Sequence, residues 1–335
     1  MRSVKKLSSF FSKDHNHKST NMKKILVTGA VGQIGSELTA ALKKLYGEQN
    51  VVTSDIAASN SAEEFQPYEQ LNVLDKPRLY EIVKKHQITV IYHLAAILSA
   101  AGERNPNLCF DVNMNGLYNV LEAARELNVK QIICPSSIAV FGPETPRDNT
   151  PQETIILPKT MYGLTKAAGE LVCDYYVTKF GLDIRGIRYP GLISYKTLPG
   201  GGTTDYAVEI FYEAIKNKSY TCFLKADTTL PMMYMPDAIR GTIALAETEF
   251  SKLKHHSNFN FAGMSFSCAE LAAEISKRIP EFKIEYKPDF RQAIADSWPR
   301  SIDDSASRNE WGWKPEFGLS EMVDDMILNL KKKLS

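Results

Sequence analysis

The chain has 335 residues, 44% of them hydrophobic, and 40 basic against 39 acidic side chains give it a net charge of +1. That length allows two domains or one large one with a sizeable buried core, and the composition is that of a globular protein. The balance of charge speaks against a nucleic-acid binder, and no apolar run approaches the length of a membrane span.

The charge is unevenly placed. Residues 1–21 carry five basic side chains against the single acid Asp14, and Val4, Leu7, Phe10 and Phe11 fall on one face of a potential helix. A basic, Ser-rich amphipathic leader of this kind reads as a transit peptide, with the mitochondrion as its destination; a plain disordered basic tail has the same composition. The five cysteines (Cys109, Cys134, Cys173, Cys222, Cys268) are widely spaced without a Cys-x-x-Cys pair, which predicts a reducing compartment, no disulfide framework and no metal site. His15, His17, His255 and His256 are expected to be solvated.

The first element of the body is an apolar strand, Lys24–Val27, running into Thr28-Gly29-Ala30-Val31-Gly32-Gln33-Ile34-Gly35. A strand that stops at Gly29 and resumes as a helix at Gln33 aims unpaired backbone N–H groups at one point, which suits a pyrophosphate. Gly29 permits the turn, Gly32 lets backbone approach the phosphates and Gly35 lets the helix lie close on the strand. The helix continues to about Leu45, with Gly47 as its stop. A second strand, Asn50–Asp55, ends in an acid some twenty-odd residues beyond the first glycine, where a carboxylate accepts from a free ribose 2′-hydroxyl and repels a 2′-phosphate. Asp55 therefore points to NAD rather than NADP.

A surface loop over 57–67, a strand at Tyr68–Leu71 and a helix from Lys76 to His86 come next. Asp75 stands at the sheet edge where it can meet an adenine amino group or simply start the helix. Thr89–Ala96 is nearly unbroken apolar sequence closing in the small residues Ala95-Ala96, as expected of a buried parallel strand beside a cofactor. His93 reads as a hydrogen-bonded core histidine. One long helix over about 106–127 and a strand at Gln131–Pro135 complete an alternation that predicts an α/β fold with a doubly wound parallel sheet.

The fifth strand ends at Ser136-Ser137, and Met161-Tyr162-Gly163-Leu164-Thr165-Lys166 opens a helix to about Phe180. Tyr162 and Lys166, four apart, share one helix face. A free tyrosine ionises near pH 10, so one that collects a proton at neutral pH needs positive charge beside it, here the Lys166 ammonium and an oxidised nicotinamide. Ser137 can hydrogen-bond the reacting oxygen. Beyond a sixth strand, Asp183–Arg188, the alternation stops at Tyr189–Ser194, the carboxyl edge where nicotinamide and substrate should meet. Pro199–Asp205 is a loop of glycines and hydroxyls that leads into a helix at Tyr206–Ile215, with Thr204 or Asp205 as its cap. Met233 and Tyr234 suit either the site or the core, and Asp237 is expected to cap a helix at Ala238–Glu247. The remainder reads as a strand at Asn258–Phe261, a helix opened by the box Ser267-x-x-Glu270, a strand at Lys283–Tyr286 and a final helix from Leu319 to Lys333. Trp311-Gly312-Trp313 is expected to pack this end onto the smaller domain.

Thr28-Gly29-x-x-Gly32-x-x-Gly35, His93-Leu94-Ala95-Ala96, Asp111-Val112-Asn113-x-x-Gly116, Ser136-Ser137 and Tyr162-x-x-x-Lys166 together resemble the extended short-chain dehydrogenase/reductase superfamily, over about residues 23–330. The sequence departs from the sugar-nucleotide epimerase pattern at Asn72 and Thr89, where acids usually stand. Pro190–Ile193, Gly200–Ala207, Met232–Asp237 and Ser297–Ser301 resemble, more narrowly, the short-chain L-threonine 3-dehydrogenase family. The resemblance implies a Rossmann-type NAD-binding domain (22–188 and 233–263) and a smaller discontinuous carboxyl-terminal substrate domain (189–232 and 264–335). It implies oxidation of L-threonine to 2-amino-3-oxobutanoate with Tyr162, Lys166 and Ser137 catalytic. The cofactor would lie against Gly29, Gly32, Gln33, Ile34, Gly35, Asp55, Asp75, Leu94, Ala95, Ala96, Asn113, Tyr162, Lys166, Tyr189 and Ile193. Ser99, Ser137, Tyr162, Thr203, Thr204 and Trp298 would line the substrate pocket, and helices near 106–127 and 162–180 would pair two subunits into a homodimer. A sugar-nucleotide epimerase or dehydratase on the same scaffold and a catalytically silent NAD sensor are the rival readings.

Overall fold

The structure is a computed structural model that describes residues 23–58, 63–198, 200 and 202–335. The expected transit segment 1–21 and two positions of the glycine-rich loop, Pro199 and Gly201, lie outside the described residues. In chain order the elements are β1 (Ile25–Thr28), α1 (Gln33–Tyr46), β2 (Val51–Asp55), β3 (Tyr68–Gln70), α2 (Lys76–Lys85), β4 (Val90–His93), α3 (Ser99–Arg104), α4 (Pro106–Phe110), a π-helical turn (Asp111–Asn115), α5 (Gly116–Glu126), β5 (Gln131–Ile133), β6 (Ser136–Ser137) and α6 (Met161–Phe180). There follow β7 (Asp183–Arg185), β8 (Ile187–Tyr189), β9 (Gly191–Ile193), α7 (Tyr206–Lys216), β10 (Ser219–Cys222), β11 (Thr229–Tyr234), α8 (Met235–Glu247), β12 (Phe259–Asn260), β13 (Met264–Ser267), α9 (Cys268–Ser276), β14 (Lys283–Tyr286), α10 (Arg291–Asp296), α11 (Ser305–Trp311) and α12 (Leu319–Leu334).

Six strands form one parallel sheet in the order β3-β2-β1-β4-β5-β7. Its central strands β1 and β4 are largely apolar on both faces because each face is covered. Ile25, Val27, Val90 and Tyr92 point into a cluster with Leu38 and Leu42 of α1 and Ile239 and Ile243 of α8. The alternate residues Leu26 and Ile91 point into another cluster with Leu79 and Ile82 of α2, Val120 and Leu121 of α5 and Cys173 of α6. Each such apolar side chain contributes roughly 1.5–3 kcal/mol by leaving water. The strand order reverses between β1 and β4, and the crevice at that point is where such sheets bind their ligands.

The turn after β1 has the geometry its glycines require. Gly29 has φ +69°, and a Cβ there would stand 2.7 Å from the Ala95 nitrogen; a Cβ on Gly35 would stand 2.2 Å from the Gly29 carbonyl oxygen. Both positions therefore exclude a side chain, and the N-terminus of α1 is drawn close against β1 and β4.

Several expectations need correcting. The helix expected over 106–127 is a helical run interrupted by the π-helical turn, whose extra residue turns Asn113 inward, and α3 precedes it. The strand expected at Asp183–Arg188 divides at Gly186: β7 stays in the main sheet, while β8 pairs with β6 and β12 in a small parallel sheet. The interruption expected at 189–194 contains β9, which pairs with β11. Asp237 lies inside the first turn of α8, where its buried carboxylate accepts from the backbone N–H groups of Glu316 and Phe317 and pairs with Arg240, so it ties the end of the chain to α8 instead of capping it. Asp205 accepts from the Gly202 backbone N–H at 2.7 Å and makes no side-chain cap on α7. Trp311 and Trp313 pack with Phe259 and Phe261 in the cluster that covers the main sheet, not on the smaller assembly. His255 is held between Glu310 and Glu153, and His256 stacks on Phe250, so neither is simply solvated. The capping box Ser267/Glu270 is present as expected, and Met233 and Tyr234 are fully buried core.

Candidate active site

The reactive groups come together because α6 starts where β6 ends. Thr160 caps the helix by accepting from the Gly163 N–H at 3.0 Å, and Glu103 of α3 accepts from the Met161 N–H at 2.8 Å. This fixes the first turn, so Tyr162 and Lys166 face the end of the sheet. The Lys166 ammonium donates to the Pro135 carbonyl at 2.8 Å and stands 5.8 Å from the Tyr162 ring centre. Ser137 accepts from the Ala139 N–H at 3.2 Å, which leaves its own proton to donate.

These residues open onto one cleft of about 220 Å³ that runs from the glycine turn to the second half of the chain. Of the residues expected at the cofactor, Gly29, Gly32, Gln33, Ile34, Gly35, Leu94, Ala96, Tyr162, Lys166 and Tyr189 line it. All six expected at the substrate, Ser99, Ser137, Tyr162, Thr203, Thr204 and Trp298, line it too. Ser99 and Thr203 meet at 3.3 Å across the cleft, joining α3 to the loop before α7. Sequence reasoning did not single out Leu98, Pro135, Ser136 and Ile138 as lining residues. Leu98 lies just before α3, an element whose short alternation carried no helical signal.

The other expected cofactor residues stand elsewhere. Asp55 sits at the end of β2, where its carboxylate accepts from the Val31 N–H at 3.1 Å and the Ile56 N–H at 2.7 Å and so fastens the glycine turn to the second strand. Ala95 is the backbone against which Gly29 closes. Asn113 is buried behind the cleft, where it accepts from the Ile97 N–H at 2.8 Å and donates to Thr165 at 3.1 Å; it holds the strand end in place and does not line the cleft. Ile193 is core, with no exposure. Asp75 caps α2 by accepting from the Arg78 N–H at 3.0 Å and lies away from the cleft lining, which is the helix-start role open to it in the sequence.

The arrangement fits a dinucleotide on its own evidence. Two glycines where a Cβ would collide shape the turn, and the Gln33 side-chain amide nitrogen beside it is buried without a hydrogen-bond partner among the described residues. A buried donor of this kind is costly unless something accepts from it, and a phosphate oxygen would. Asp55 completes the set with a carboxylate at the strand end.

The sequence model of the NAD dependent epimerase/dehydratase family matches residues 25–261. The chain belongs to that family. An uncharacterized epimerase/dehydratase of Staphylococcus aureus (strain MRSA252) is 47% identical over 315 residues, covering 93% of this chain and 98% of the relative. Among solved structures, the L-threonine dehydrogenase of Clostridium difficile is similar at 52% identity and a TM-score of 0.91, over 94% of this chain and 99% of that one. A monomeric L-threonine 3-dehydrogenase from a metagenome database, in its apo form, is 50% identical with a TM-score of 0.90, over 93% of this chain and 100% of that one. This family member is thus an NAD-dependent oxidoreductase in fold and cofactor.

Among the described residues no group of three or more His, Cys, Asp or Glu could hold a metal ion, and no helix is long and apolar enough to cross a membrane. The five cysteines are free thiols, but they are not isolated. Cys134 neighbours Cys173, and Cys222 neighbours Cys268, proximities that sequence spacing did not reveal.

His93 is buried as expected and shares a hydrogen bond of 3.0 Å with the Thr28 hydroxyl. Burial, and secondarily the positive charge of Lys166, push its imidazole down to about 3. The folded chain therefore refuses a proton that the unfolded chain takes up below about pH 6.5. Stability from this residue is complete above that pH and is lost as pH falls towards about 3. The unfolding free energy from urea titrations should fall by an amount on the order of a few kcal/mol across this window, and His93→Gln should flatten that part of the curve. An equal slope in the two proteins would contradict the assignment.

Proposed function

We propose that the chain oxidises the 3-hydroxyl of L-threonine to 2-amino-3-oxobutanoate, with NAD reduced. The observation that carries this reading is the single cleft shared by the Tyr162–Lys166 pair, the glycine turn and the hydroxyl-lined pocket of Ser99, Thr203 and Thr204. Similar proteins over nearly the whole chain are named L-threonine dehydrogenases, which supports the same substrate.

Bound NAD supplies the acceptor for the hydrogen and two electrons that leave the substrate carbon. Tyr162 takes the hydroxyl proton. Lys166, fixed on the Pro135 carbonyl, supplies the positive charge that favours the phenolate. Ser137 donates to the substrate oxygen and orients it as it becomes a carbonyl. Thr203 is 1% exposed, Ser99 4% and Trp298 5%, so a substrate seated among them is shielded from water, which strengthens these electrostatic effects. Gly32, Gln33 and Gly35 would hold the pyrophosphate and Asp55 the ribose hydroxyls. In this assignment residues 22–188 and 233–263 form the NAD-binding part. Residues 189–232 and 264–335 form the substrate part, with Trp311 and Trp313 as the contact between them.

We also infer a homodimer and a mitochondrial destination. The dimer is supported by apolar side chains left exposed along α6 at Leu164, Leu171 and Tyr175, which are 46%, 72% and 55% exposed, with Phe110 and Tyr118 at 42% and 51% on the adjacent helices. The spacing of the three on α6 makes one stripe. A monomeric relative at 50% identity sets the contrary expectation. The leader reading rests on the basic, amphipathic composition of residues 1–21.

Wild-type protein should accumulate NADH with L-threonine, and Tyr162→Phe should keep NAD binding while turnover falls by at least about 100-fold. Unchanged turnover would refute the role of Tyr162, and conversion of a UDP-sugar without net NADH would favour an epimerase. Sedimentation at micromolar concentration should give twice the chain mass, and Leu171→Glu should return it to one; a wild-type monomer would overturn the dimer. Cell fractionation that leaves the full-length chain outside mitochondria would overturn the leader.

A further inference from the structure

Beneath the cleft lies a buried ion pair that the proposed chemistry does not use. Glu170 follows Lys166 by four residues, as Lys166 follows Tyr162, so the three occupy one face of α6. The Glu170 carboxylate accepts from the Arg188 Nε at 2.9 Å and Nη2 at 2.8 Å, a two-pronged pairing, and from the Ser136 hydroxyl at 2.6 Å. All three are inside the protein: Glu170 and Ser136 are 5% exposed and Arg188 is 1%. Arg188 also donates to the Gln152 carbonyl and the Asn260 side chain, each at 3.2 Å. Asn260 in turn donates to the carbonyls of Thr150 and Asp303.

A buried ion pair of this sort adds little net stability, because the cost of taking both charges out of water offsets their attraction and well-packed apolar residues commonly do as well or better. What it does supply is direction. Three consecutive residues at the sheet end are each tied down: Pro135 by Lys166, Ser136 by Glu170 and Ser137 by the Ala139 N–H. The strand β6 has two residues and, among the described residues, pairs only with β8, at Ser136 with Arg188 and Ser137 with Tyr189. So short a strand has few backbone bonds to fix its position. The ion pair locks β6, β8 and α6 together from one side. Through Asn260 it reaches the segment where Thr150 pairs with Ile302, four residues beyond Trp298.

We infer that Ser136, Glu170 and Arg188 form a positioning triad that fixes where Ser137 presents its hydroxyl relative to Tyr162 and Lys166, and that carries this alignment towards the segment bearing Trp298. The inference rests on the proposed reading of Ser137 and Tyr162 as the groups that handle the substrate oxygen. Ser136 is the mildest handle on the triad, because its removal leaves the Glu170–Arg188 pair intact.

Ser136→Ala and Ser136→Thr are to be compared with wild type for kcat, KM for L-threonine, NAD affinity and thermal midpoint. The triad predicts that Ser136→Ala lowers kcat by about 10- to 100-fold, while KM and NAD affinity stay within about threefold and the fold is retained. Ser136→Thr, which keeps the hydroxyl, should recover kcat to within about threefold of wild type. A kcat for Ser136→Ala within twofold of wild type would overturn the inference, as would a loss in Ser136→Thr as large as in Ser136→Ala. Glu170→Gln should lose at least as much kcat as Ser136→Ala, and the double variant should lose no more than Glu170→Gln alone; additive losses would overturn the shared role. If Glu170→Gln fails to fold, the two Ser136 variants decide. An active wild type with an unaffected Ser136→Ala defeats this inference alone, whereas a wild type that makes no NADH from L-threonine defeats it together with the proposed activity.

Discussion

The bond from the Lys166 ammonium to the Pro135 carbonyl, 2.8 Å long, is the constraint on which the site depends. It joins a helix to the carboxyl end of the central sheet at the point where the strand β5 has just left the ladder. A lysine side chain has four rotatable carbons, and in solution its charge would be spread over a wide volume. Held by a carbonyl whose position is set by the sheet, the charge has one place. Tyr162, one turn earlier on the same helix, then has a fixed positive neighbour.

The rest of the fold delivers other groups to that place. The glycine turn can approach because Gly29 and Gly35 carry no Cβ where a Cβ would strike backbone. The small residues after β4 leave the crevice open. The loop before α7 brings Thr203 to Ser99, so the hydroxyl-lined part of the cleft is built from segments 104 residues apart in sequence. His93 illustrates the electrostatic side of the design. It is buried beside the fixed ammonium, and the two effects together keep it neutral, so that Lys166 has no competing cation behind it.

Much of this was legible in the sequence, and the reasons are physical. Gly29, Gly32 and Gly35 are spaced by the geometry of a strand-turn-helix, and Tyr162 and Lys166 by the pitch of a helix, so each local pattern carries its own explanation. The parallel sheet was legible for a similar reason: β1 and β4 are apolar up to their last residues, Thr28 and His93, because both faces are covered. What escaped were features set by contacts between distant segments. Gly186 divides one expected strand into two because β8 leaves the main sheet to pair with β6 and β12. Asp237 looked like a cap, but its carboxylate is taken up by the backbone N–H groups of Glu316 and Phe317, which local spacing does not foretell. Trp311 and Trp313 are apolar wherever they pack, and nothing in their neighbours chooses between two surfaces. Glu170 gave a signal that went unread: an acid in register with Tyr162 and Lys166, on the inward face of a helix, must find a buried cation, and Arg188 is that cation.

The central claim is that a localised ammonium makes the tyrosine an effective base near neutral pH, and the pH dependence of Lys166→Met tests it most directly. With NAD saturating, NADH formation from L-threonine should be lost at pH 8 and recover in part towards pH 10, where an ordinary phenol ionises without help. A Lys166→Met protein that turns over at the wild-type rate at pH 8 would contradict the account.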